Sequence, residues 1–197
     1  MRVVRPLALL IAFSGQGLLA SGELGILLNK QLGQAQSTSV PYLGRTGSID
    51  AVSPTGMGFR AGFSLINLKV AELGLEATYH PKAEGDVVLA GTGTGQRFST
   101  EYLALGAKVE WKFLLNLYGA MEIRSERLSL GPERVTYSRP WIKAGIGTTL
   151  PLPLLTPTFR LELAMQTVRD EKTGSASELA KALAPRFQVG LYAGVRF

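Results

Sequence analysis

From residue 186 to residue 197 the chain reads RFQVGLYAGVRF. Phe187, Val189, Leu191, Ala193, Val195 and Phe197 alternate there with Arg186, Gln188, Gly190, Tyr192, Gly194 and Arg196. A period of two marks a strand whose faces meet different surroundings. The pattern recurs eight times and predicts strands at about 23–29, 58–65, 71–80, 102–113, 115–126, 141–150, 158–168 and 186–197. In the fourth, Leu103, Leu105, Ala107, Val109, Trp111 and Phe113 oppose Ala104, Gly106, Lys108, Glu110 and Lys112.

The charges follow the same parity. Glu23, Arg60, Glu72, Glu76, Lys108, Glu110, Lys112, Glu122, Arg124, Glu126, Lys143, Arg160, Glu162, Arg186 and Arg196 all fall on the polar face of their strand. One charge per strand only sets the phase, and the seven further agreements would arise by chance roughly once in a hundred trials. Lys69, Glu101 and Arg127 sit on the apolar parity just outside these spans and are read as strand ends.

Connections alternate in length. Those near 66–70, 113–115 and 151–157 are short, whereas 30–57, 81–101, 127–140 and 169–185 are longer and rich in Gly, Ser, Thr and charge. Short turns at one end and long loops at the other characterise transmembrane barrels. Strands of this length also match the roughly 9–11 residues that cross a bilayer when tilted. The expected fold is all-β, an eight-stranded antiparallel up-and-down transmembrane β-barrel, with both mature termini in the periplasm.

A soluble lipocalin-like barrel shares the periodicity but keeps its apolar face inside. Three features favour the inverted arrangement. The polar face mixes glycines (Gly62, Gly74, Gly106, Gly145, Gly147, Gly190, Gly194) with long charged chains, which suits a narrow interior that must be filled. Its seven Glu nearly balance eight Lys or Arg, as buried charges require. Phe59, Tyr79, Trp111, Phe113, Phe159, Phe187 and Phe197 lie on the apolar face near strand ends, where bilayer girdles form.

The ending at Phe197, with Val195, Leu191, Val189 and Phe187 on one face, resembles the C-terminal assembly signal of bacterial outer-membrane barrels. Tyr192 stands where that signal often has glycine. The chain from residue 21 to residue 197 resembles the small eight-stranded OmpA/OmpX-type family. The resemblance implies recognition by the outer-membrane insertion machinery, contact with outer-membrane lipids and a monomeric state.

The first residues, MRVVRPLALLIAFSGQGLLASG, order basic, apolar and small residues as a secretory signal does. Residues 1–20 are therefore expected to be a cleaved signal peptide. Removing Arg2 and Arg5 lowers the formal net charge from +6 to +4, a weak and unclustered excess that gives no support for nucleic-acid binding. With no cysteine and one histidine, the chain offers neither disulfides nor a thiolate or multi-histidine metal site, and no cofactor is expected.

The chemistry therefore centres on the inward charges. Arg60, Glu72, Glu76, Lys108, Glu110, Lys112, Glu122, Arg124, Glu126, Lys143, Arg160 and Glu162 form a candidate interior network, with Lys108–Glu122 one expected cross-strand pair. Such a network either plugs the barrel or forms a small ion-conducting path. The plug reading goes with a structural or surface-recognition role carried by the extracellular loops, whose ligand the sequence leaves unknown. A lipid A-modifying enzyme would need His80, with Ser99, Asp86 or Glu84 nearby. GTGTG at 91–95 reads as a loop tip that prolongs a hairpin, and SASELAKALAP at 175–185 has helical composition. Arg45, Lys82, Arg97, Arg134, Arg139, Arg169, Lys172 and Lys181 are expected as loop cations facing lipid phosphates or water.

Overall fold

The computed structural model describes residues 21–33, 36–42, 45–51, 54–68, 70–89, 92–152, 155–167 and 183–197. The expected leader and most of the expected helical stretch lie outside these residues. The strands are β1 (Gly22–Gly33), β2 (Gln36–Tyr42), β3 (Arg45–Ala51), β4 (Thr55–Asn67), β5 (Ala71–Leu89), β6 (Thr92–Trp111), β7 (Asn116–Leu130), β8 (Glu133–Thr149), β9 (Thr156–Gln166) and β10 (Pro185–Arg196).

Eight of them, β1 and β4 to β10, pair antiparallel in one ring, with β1 closing on β10 and β5 on β6. The seam runs from Glu23↔Arg196 to Leu32↔Phe187, and Gly22 and Phe197 exchange backbone hydrogen bonds of 2.9 and 3.0 Å at its end. This is a closed eight-stranded up-and-down barrel.

Its faces follow the sequence pattern. Along β7 burial alternates residue by residue. Leu24, Phe59, Leu75, Leu105, Met121, Leu163 and Leu191 point outward, whereas Glu23, Arg60, Glu76, Lys108, Glu122, Glu162 and Arg196 are buried inside. A soluble barrel would reverse this, so the lipocalin-like alternative does not hold. The seven girdle aromatics all face outward.

The expected long connections are largely built from strand. β5 and β6 continue through 81–89 and 92–101, with bulges between His80 and Ala83 and between Asp86 and Val88 that let the ladder absorb extra residues. β7 and β8 continue through 127–140 and are joined by Gly131 and Pro132. Gly131 (φ 58°) takes the left-handed position required at the start of a two-residue hairpin loop, and proline's fixed negative φ suits the next. Within 30–57, β2 and β3 form a hairpin that adds to β5 beyond the ring, from Ile49↔Leu89 to Ala51↔Val87.

The charged lumen as candidate functional site

Inward parity from eight strands brings the charges together in tiers. Nearest the short turns, Lys108 Nζ lies 3.2 Å from Glu23 and 3.3 Å from Glu72. Arg196 reaches Glu23 at 2.9 Å and Glu72 at 3.2 Å, and also meets Glu110. Arg160 meets Glu23 and lies 2.9 Å from Glu110. Lys112 Nζ is 3.3 Å from Glu72 and borders a cavity of about 460 Å³ at this mouth, lined also by Asn67, Asn116 and Arg196.

In the middle tier, Arg60 donates to both oxygens of Glu162, at 2.6 and 2.9 Å, linking β4 to β9 across the lumen. Lys143 joins Glu76 and Glu122, the latter at 2.7 Å. The Tyr118 hydroxyl adds bonds of 2.7 and 2.6 Å to Glu76. Above them, Arg124 meets Glu122 and donates to Gln188 at 2.8 Å. Arg139 meets Glu126 and donates to Gln166 at 2.9 Å and to the Pro185 carbonyl at 3.1 Å.

Three sequence-level expectations need correction. Lys108 does not pair with Glu122: Glu122 stands opposite Gly106, one inward step up the barrel, and turns to Lys143 and Arg124, while Lys108 turns to Glu23 and Glu72. Arg139 is not a loop cation. The extension of β8 gives it the parity of Trp141 and Lys143, and it is buried. Glu101 and Arg127, read as strand ends, face outward and pair at 2.7 Å within extended strands. On the exposed hairpin, Lys82 hydrogen-bonds Glu84 and holds its carboxyl below the usual range.

Inward aromatics escaped the sequence reading, which weighed aromatics only on the apolar face. Arg160 stacks 4.3 Å from the Tyr192 ring centre and 4.6 Å from Tyr118, and Arg124 lies 3.9 Å from Trp141 and 4.5 Å from Tyr102. Glycines make the space. A Cβ on Gly62 would stand 3.2 Å from Lys108 Nζ, and one on Gly56 would stand 2.8 Å from His80 Nε2. Tyr192, the departure from the assembly-signal pattern, lies over Gly25 and Gly194.

The histidine is placed away from lipid. His80 is fully buried in the lumen, stacks on Tyr102 with ring centres 5.1 Å apart, and donates from Nδ1 to the Pro81 carbonyl at 2.8 Å. Glu84 and Asp86 are exposed on the outer face, so His80, Ser99 and these carboxylates form no triad.

Beyond the charges the lumen turns apolar. Val87, Phe98, Leu128, Leu130, Tyr137, Leu183 and Ala184 form one buried cluster across the extended hairpins. Leu128 and Leu130 share the inward parity of Glu122, Arg124 and Glu126, so RLSLG carried the signal for this cap.

No protein-family model matches the sequence, and no curated protein matches it. Solved structures do. The outer membrane protein OprG from Pseudomonas aeruginosa is similar over 90% of this chain and 96% of its own, with TM-score 0.55 and 10% identity. Ail, the attachment invasion locus protein of Yersinia pestis, solved with the heparin analogue sucrose octasulfate, gives TM-score 0.48 and 13% identity over 90% of this chain and 97% of its own. Neisserial surface protein A gives 0.47 and 12% over 90% and 95%. Closure, strand number, inverted faces and the OprG superposition agree: the chain has the fold of the eight-stranded outer-membrane β-barrels.

Proposed function

We propose that the protein is a plugged outer-membrane barrel whose long hairpins carry a structural or recognition role at the cell surface. The filling of the lumen supports this most strongly, because tiers of paired charge lie beneath a buried apolar cluster. Eight strands enclose an interior that side chains can fill. The twelve charges of the expected network serve here as the plug, together with Glu23, Arg139 and Arg196.

Strand length supports a surface role. β5 and β6 run 19 and 20 residues, about twice the 9–11 needed to cross a bilayer. Their outer halves, the β7–β8 hairpin and the β2–β3 hairpin stand at the end opposite the short turns. In this reading residues 1–20 are removed, both mature termini are periplasmic, and Phe187, Val189, Leu191, Val195 and Phe197 form the signal for the insertion machinery. The working form is a monomer in outer-membrane lipid.

The test is labelling of intact cells. A cysteine at Pro132, in the β7–β8 loop, is expected to react with a membrane-impermeant maleimide without permeabilisation. Reaction only after the outer membrane is opened would refute the surface placement.

A further inference from the structure

The short turns expose large apolar side chains. Leu68, Val70, Phe113, Leu114, Leu152 and Leu155 are all exposed there, and Leu114 is 97% exposed. A turn bathed in water ordinarily presents Gly, Asn, Asp or Ser. The polar groups beside these turns point the other way: Lys112 Nζ donates to Asn67 and lies 3.3 Å from Glu72, while Asn116 donates to Glu110 at 2.9 Å and to Thr149 at 2.8 Å. Among the described residues of these turns, the lumen mouth takes the polar atoms and the rim keeps the leucines.

The height of the apolar belt gives this a cause. On β6 the outward apolar run spans Leu103 to Trp111, with Glu101 above it paired to Arg127. At about 3.4 Å per residue and a tilt near 40°, that run is about 20 Å tall, short of the roughly 25 Å band of outer-membrane barrels. On β7 the run from Leu117 to Ile123 is shorter still, because Ser125 and Arg127 follow it. Phe113 and Leu114, directly below, supply the missing layer.

We propose that the short turns are immersed in the bilayer and covered by the acyl chains of the adjoining leaflet. The occupant is lipid because the exposed turn residues are continuous with the lipid-facing belt through Leu65, Trp111, Leu117 and Phe159. The inference rests on the membrane-barrel reading but not on which leaflet the turns face.

The sequence has no cysteine, so single-cysteine variants label uniquely. Leu114→Cys, Leu105→Cys in mid-belt and Pro132→Cys at the hairpin tip are each coupled to an environment-sensitive fluorophore. The proteins are placed in phospholipid vesicles containing acyl-chain nitroxide lipids. The Leu114 probe is expected to resemble the Leu105 probe, with strong nitroxide quenching and iodide quenching several-fold weaker than at Pro132. Iodide quenching at Leu114 equal to that at Pro132 overturns the proposal. So does protection from both quenchers, which would mean that a second copy or another protein covers the turns. Loss of nitroxide quenching at Leu105 would instead overturn the membrane reading itself. Leu152→Cys repeats the test on a second turn.

Discussion

Consider the Arg60–Glu162 pair. The guanidinium and the carboxylate share two hydrogen bonds, and their side chains are only 1% and 4% exposed. Arg60 also donates to Thr78 at 3.1 Å, and Glu162 has a second cation, Arg160 Nε, at 3.3 Å. Removing one member of a buried pair leaves an uncompensated charge and costs about 3–5 kcal/mol, whereas replacing both with apolar groups of similar volume is often close to neutral. Glu162→Met should therefore cost about 3–5 kcal/mol. Arg60→Met should cost less, because Arg160 still neutralises Glu162. The double variant should cost clearly less than the two singles together, with a coupling of about 2 kcal/mol or more, within the range for groups in one network. The assay is urea unfolding of protein refolded in lipid, followed by tryptophan fluorescence and by electrophoretic mobility, whose coincidence checks two-state behaviour. Strict additivity would mean that the two side chains do not meet across the lumen.

Other outcomes follow from named contacts. Gly25→Leu should lower refolding yield and cost about 1–3 kcal/mol by overpacking, since its Cβ alone would stand 2.6 Å from the Ala193 carbonyl oxygen beside the Tyr192 ring. An unchanged unfolding midpoint would show that the ring moves aside freely. Phe197→Ala removes an aromatic worth about 1.5–3 kcal/mol but also the end of the proposed assembly signal, so inserted protein in cells should fall more than stability in detergent does. Equal insertion of both forms would dismiss the signal. Leu128→Asp places a carboxylate inside the apolar cap; hydrogen exchange should quicken in the outer β7–β8 amides and stay slow in the membrane-level strands. Uniform quickening would mean that the cap and barrel are one cooperative unit.

The barrel was legible because one parity runs through each strand. Glu122, Arg124 and Glu126 share a face with Tyr118 and Leu128, so the wall and its inside could be read from β7 alone. What lies within the lumen was less legible. Parity says that Lys108 and Glu122 both point inward, but partners depend on register and on where glycines leave room. Gly106 stands opposite Glu122, which removed the expected pair. GTGTG pointed to a prolonged hairpin, but the strand on either side of it read as loop because bulges at His80–Ala83 and Asp86–Val88 shift the period, and polar, glycine-rich strand resembles loop. Arg139 was lost for a similar reason, since Gly131 and Pro132 mark a turn eight residues before it, yet the whole stretch read as one loop.

Single-channel recording in planar bilayers shows whether paired charges close the lumen. The wild-type protein should give a silent baseline. Glu122→Ala, which strips one carboxylate from both Lys143 and Arg124, should admit water and produce brief openings. Large, steady conductance from the wild type would mean that the charges leave the lumen open, and would make ion passage the leading function.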